Sequence, residues 1–136
     1  MRALIILFLF LSHDAFSQTK IKIEKDVCCD NLGLMIGIIR HGDTLSYENL
    51  LNSRAVRIMF LNCNYNSKAT VESYEFETQH SKQFIKGNMI DVNTIQKFEK
   101  GGEFIIRNCK VICTNDLNEA KTLLLPDRKI VVKPKE

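Results

Sequence analysis

Tryptophan is absent, and only two prolines (Pro126 and Pro134) and six glycines punctuate 136 residues. There is no Pro/Gly linker, internal repeat or low-complexity tract, so the sequence predicts one continuous domain. Long apolar runs are missing too. Residues 3–11 and 32–39 are the main ones, and both fall short of the roughly 20 residues needed to cross a bilayer. Excess charge is also lacking. Nineteen basic residues against 16 acidic leave a formal +3, too little to imply a nucleic acid or an anionic membrane as partner. What is present is ordinary globular composition, 45% hydrophobic and 26% charged. Together these features argue against a large enzyme, a membrane-spanning bundle and a coiled coil.

The amino terminus looks like an export leader. Met1 and Arg2 supply a minimal positive start, residues 3–11 are purely apolar, and Ala15-Phe16-Ser17 places small residues where a signal peptidase must fit. Cleavage before Gln18 is expected, giving a signal peptide over residues 1–17 and a single domain over 18–136. Cys28 and Cys29 follow about ten residues too late for a lipoprotein leader. The expected location is therefore periplasmic or secreted, with no integral membrane segment after cleavage.

Export would place Cys28, Cys29, Cys63, Cys109 and Cys113 in a disulfide-permissive space. At most two internal bridges can form, one thiol is left over, and 15 such pairings are open. Neighbouring Cys28 and Cys29 rarely bridge each other. Cys109 and Cys113 share one face of a strand-like run, with Cα atoms roughly 13 Å apart, too far for a mutual bridge. Both are expected to be buried apolar fillers. The spacings do not make a zinc site, so neither a metal nor another cofactor is expected.

Along the chain, Lys20-Ile21-Lys22-Ile23-Glu24 alternates as a half-buried strand, and residues 32–39 suit a buried one. Residues 46–51 suit a helical turn capped by Ser46. Strands are predicted at 55–61, 69–78 and 103–114, then at 123–125 and 129–133. Residues 91–99 suit a short helix or tight turn capped by Asp91 and ended by Gly101-Gly102. Tyr74, Phe76, Phe104, Ile106, Val111 and Ile130 are the predicted core. The fold class expected is all-β, a mainly antiparallel Ig-like β-sandwich with one short helical turn.

One stretch can be read as catalytic. Arg40-His41-Gly42 after an apolar strand resembles the Arg-His-Gly signature of histidine phosphatases, in which the His attacks phosphorus and the Arg neutralises phosphate oxygens. It makes a small exported hydrolase the alternative function. Only 92 residues follow Thr44, too few for that domain, and the only later histidine, His80, lacks a strand-end His-Gly context. Read plainly, Gly42-Asp43 is hairpin chemistry. No catalytic residue is assigned.

The order of segments from 46 to 133 carries a resemblance. Glu48-Asn49-Leu50-Leu51 follows Gly42-Asp43-Thr44-Leu45-Ser46. Val71-Glu72-Ser73-Tyr74-Glu75-Phe76 follows an Asn-rich turn. Gly87-Asn88 precedes the helical turn, Gly101-Gly102 and the Phe104-to-Val111 run, and Leu125-Pro126 precedes Lys129-Ile130-Val131-Val132-Lys133. This order resembles the C-terminal domain of the GldM/PorM family, periplasmic proteins of the gliding and type IX secretion machinery of Bacteroidetes. The family's Pro-Asp-Gly turn is here Asn115-Asp116-Leu117, and the family's anchor and stacked domains have no counterpart in this sequence. The resemblance implies an exported, non-enzymatic protein–protein interaction module whose protein partner is an envelope secretion or motility component. Ile21, Lys22, Ile23 and Glu24 form the candidate interaction strand, because an alternating terminal segment can add to another sheet.

Overall fold

A computed structural model describes residues 27–37, 44–61, 63, 67–115 and 117–136. The leader, the candidate strand Ile21, Lys22, Ile23 and Glu24, and the Arg40-His41-Gly42 motif lie outside the described residues.

The chain is all-β with mainly antiparallel pairing. It runs α1 (Val27–Asp30), β1 (Leu32–Ile36), β2 (Thr44–Ser46), α2 (Tyr47–Ser53), β3 (Val56–Phe60), β4 (Lys68–Glu77), β5 (Lys82–Lys86), α3 (Val92–Gln96), β6 (Gly102–Thr114), β7 (Ala120–Leu125) and β8 (Arg128–Lys133). Three short helices form among the described residues: α2 and α3 lie where residues 46–51 and 91–99 predict helical turns, and α1 is additional. The Ser46 hydroxyl accepts from the Asn49 N–H at 3.2 Å, and the Asp91 carboxylate accepts from the Asn93 N–H at 2.9 Å. Each side chain thus satisfies a donor that a helix start leaves free. Gly101 (φ 81°) ends the turn after α3, and a Cβ there would lie 3.1 Å from the Val132 carbonyl oxygen. Close approach of two backbones, as well as positive φ, demands glycine.

Two sheets form. β1 and β3 make a two-stranded antiparallel sheet, and the other strands make a six-stranded sheet in the order β2-β8-β6-β4-β5, with β7 also on β6. β2 pairs with β8 in parallel, and every other strand pairing is antiparallel. β6 is long enough to hold β8 against its first half and β7 against its second. The register is continuous across both, so β7 and β8 act as one strand broken at Pro126-Asp127. Opposite that break, Asn108 takes φ 48° and β6 gains a residue relative to β4, while β4 shifts register between Val71 and Ser73. These compensating bulges reset the alternation. Phe104 and Ile106 point inward before the bulge, and Cys109, Val111 and Cys113 after it.

The inner face carries the core. Tyr74, Phe76, Phe104, Ile106, Val111 and Ile130 are all buried, as expected, and cluster with Ile36, Leu50, Val56 and Ile95 from the elements laid over the sheet. Phe76 stacks on Phe104 at 4.6 Å between ring centroids, and Phe98 meets both edge-on at 6.1 and 5.4 Å.

Two disulfides tie α1 down: Cys28–Cys63 and Cys29–Cys113. Neighbouring residues on a helical turn point about 100° apart, so the vicinal pair reaches two separate partners. Cys109 is the buried free thiol. The expectation that Cys113 is a mere apolar filler is therefore corrected. Its strand face is turned to α1, 84 residues away in sequence. Arg128 of β8 adds a further link between the sheets by donating to the Leu34 carbonyl of β1.

Candidate functional site

The outer face of the six-stranded sheet is covered by cross-strand ion pairs. Lys82–Glu75 (2.8 Å), Arg107–Glu77 (2.7 Å), Lys110–Glu72 (3.0 Å) and Lys129–Glu103 (2.7 Å) neutralise neighbouring side chains. The Asn108 side chain also donates to Glu75 at 2.9 Å. Hydrogen bonds from Lys82 and Asn108 hold the Glu75 carboxyl below its usual range, and the bond to Glu75 raises the Lys82 ammonium. Bonds to Glu77 and Asp127 raise the Arg107 guanidinium.

Phe84 interrupts this polar cover, as do Ile112, Leu124 and Val131 on the same face. Phe84 sits at the centre of β5, the last strand of the sheet, and is 65% exposed. β5 follows β4 through a tight turn in which the Thr78 N–H donates to the Ser81 carbonyl at 2.8 Å, while the Thr78 hydroxyl accepts from the His80 and Ser81 N–H groups. At the far end of β5 the Gly87 N–H donates to the Glu72 carbonyl at 2.7 Å. These two bonds fix the phase of the ladder between them. Antiparallel pairs alternate between bonded and non-bonded, so Gln83 and Ile85 direct their backbone groups to β4. Lys82, Phe84 and Lys86 direct theirs away from the sheet. No strand among the described residues pairs with that edge. Lys86 has no ion-pair partner among them.

Sequence reasoning missed β5. Lys82-Gln83-Phe84-Ile85-Lys86 lacks a clean apolar period, because Gln83 occupies an inward position. The available signal was the polar Thr78-Gln79-His80-Ser81 cluster after one strand and Gly87 six residues after Ser81, a hairpin spacing.

A cleft of about 410 Å³ lies beside the same turn, with His80, Thr94, Lys97, Phe98 and Glu103 among its walls. Its hydroxyls are used locally. Thr78 Oγ1 and Ser81 Oγ bond each other at 2.9 Å, and no hydrogen bond joins either to the His80 ring among the described residues. The buried reactive groups lie elsewhere. Burial pushes the Cys109 thiol up to about 11, and burial with neighbouring Cys109 pushes the Tyr74 phenol well above its usual value. Among the described residues, no group of three or more His, Cys, Asp or Glu could hold a metal ion, and no helix is long and apolar enough to cross a membrane.

No protein-family model matches the chain, and no curated protein matches it.

Proposed function

We propose that the protein is an exported, non-enzymatic β-domain that works by contact with a protein partner. The observation that carries this reading is the unpaired edge of β5, where outward backbone groups and an exposed Phe84 coincide. Unpaired strand edges are templates for pairing with another chain, and strand addition is a recurring mode of protein recognition. The two disulfides fit an oxidising compartment, in keeping with the leader-like first 17 residues. The resemblance to the GldM/PorM C-terminal domain extends the proposal to a place beside the gliding or type IX secretion machinery, and the Ig-like sandwich form expected from the strand and turn pattern belongs to the same proposal.

The test is affinity capture from the cell envelope with the oxidised, tagged chain as bait, using a reversible cross-linker and a reduced, unfolded bait as control. The reading expects one or a few proteins held by the folded bait alone. Equal recovery on both baits would contradict it.

A further inference from the structure

We infer that the open edge of β5 receives an extended, antiparallel partner segment with an acidic residue at each end, an aromatic residue at the centre and an apolar residue before the aromatic one. This inference rests on the reading of the domain as a protein-binding module and adds the chemistry of what it binds.

The phase of the β4–β5 ladder dictates the pattern. The outward backbone groups belong to Lys82, Phe84 and Lys86, and the same three side chains point to the outer face. In an antiparallel pair, residues directly opposite each other project to the same face. An added strand therefore sets three of its side chains beside Lys82, Phe84 and Lys86. Opposite charges across a strand pair are favourable and like charges are not, so a carboxylate belongs opposite Lys86, which has no ion-pair partner among the described residues, and a second opposite Lys82, which would share its ammonium with Glu75. An aromatic residue belongs opposite Phe84, where rings pack on each other. The two residues between them turn to the inner face, one opposite half-buried Ile85, which packs against the core, and the other opposite Gln83. The first position calls for an apolar side chain, and the second is left open by the pairing.

Charge also argues against a second copy of this chain. A two-fold antiparallel pairing centred on Phe84 would set Lys82 of each chain opposite Lys86 of the other, two like-charge pairs. Lysines on an edge strand are a recognised guard against self-association. A guarded edge has no need of an aromatic at its centre, and here that aromatic is 65% exposed.

The experiment uses two capped heptapeptides, Thr-Glu-Val-Phe-Val-Glu-Thr and its charge-reversed counterpart Thr-Lys-Val-Phe-Val-Lys-Thr, titrated into the oxidised chain by calorimetry. The acidic peptide should bind at least about tenfold more tightly, since each charge pair contributes roughly three- to fivefold. Lys86→Glu should weaken the acidic peptide about three- to fivefold and strengthen the basic one. Phe84→Pro should abolish binding. The Phe84 N–H faces away from β4, so this proline removes no ladder bond, and an edge position tolerates it. Should Phe84→Pro fail to fold, Lys86→Glu carries the test alone.

Equal affinity for the two peptides, or binding that survives Phe84→Pro in a folded chain, would overturn the inference. A dimer in sedimentation that Phe84→Pro dissociates would assign the edge to a second copy. A gain in peptide affinity on deleting residues 18–25 would assign it to the chain's own terminal segment. Either result would also overturn it. Envelope capture unaffected by Phe84→Pro would sink the edge and leave the binding-module reading standing. Peptide binding without any envelope capture would do the reverse.

Discussion

Arg107 donates through Nη1 to the Asp127 carboxylate at 2.7 Å, across the point where β7 breaks into β8. Its Nε donates to Glu77 at the same distance, so one guanidinium joins β4, β6 and the β7–β8 break. The neighbouring Asn108 N–H also reaches Asp127, at 3.4 Å. Polar pairs thus hold the bulge that turns Cys109, Val111 and Cys113 inward. Because these groups are partly exposed, each pair contributes modestly.

Backbone conformation at the bulge should matter more than charge. Asn108 occupies the left-handed region, which a β-branched residue enters only with strain. Asn108→Val should destabilise by roughly 1–3 kcal/mol. Asn108→Gly should cost clearly less, since it loses only side-chain bonds. Urea unfolding of both variants checks the order. A valine variant as stable as the glycine one would remove the bulge from this account.

Acid should weaken the outer-face network through Glu75. The usual carboxyl value is 4.5, and in the folded chain Glu75 lies below it because Lys82 and Asn108 bond the charged form. Its contribution is therefore present above 4.5 and is lost as pH falls through the lowered folded value. Glu75→Gln should flatten the acid limb of the stability–pH curve below 4.5 and leave its shape near neutrality unchanged. Unfolding midpoints measured from pH 2 to 7 give the comparison.

Thiol chemistry offers a count. Cys109 is 1% exposed, and its ionisation is raised to about 11. Alkylation without reductant at pH 8 should leave the native chain unmodified. After denaturation it should add one label, at Cys109. Removing the Cys29–Cys113 bridge by the double change Cys29→Ser and Cys113→Ser should cost roughly 2–5 kcal/mol, because that bridge closes an 84-residue separation. Two or more labels on the unfolded, unreduced chain would contradict the bridge assignment.

Exposure separates two phenylalanines. Phe104→Ala removes a ring stacked at 4.6 Å on Phe76 and should cost about 3–5 kcal/mol. Phe84→Ala should change stability by no more than about 0.5 kcal/mol. Denaturation of the two variants side by side decides whether Phe84 serves the fold or the surface.

Local signals in the sequence reached the helix caps and the core. Ser46 and Asp91 announce their helices because each needs a partner only two or three residues away, and Phe76 and Phe104 sit in alternating runs. Features set by distant contacts were not legible. Nothing near Cys113 reveals that α1 lies against it. Nothing near Asn108 marks the bulge, because it exists only as a register shift against β4, distant in sequence. β5 escaped notice because an edge strand needs only one face, and Gln83 spoils even that period. The sequence-based site choices, Ile21 to Glu24 and Arg40-His41-Gly42, lie outside the described residues, so the site now argued comes from the fold.

Amide hydrogen exchange followed residue by residue, with and without the acidic peptide, tests the central claim most directly. In the free chain the Gln83 and Ile85 amides, bonded to β4, should exchange slowly, and those of Lys82, Phe84 and Lys86 should exchange fast. Saturating peptide should slow these three amides selectively. Protection that appears elsewhere on the domain, or none at Lys82, Phe84 and Lys86 once the peptide is bound, would contradict the account.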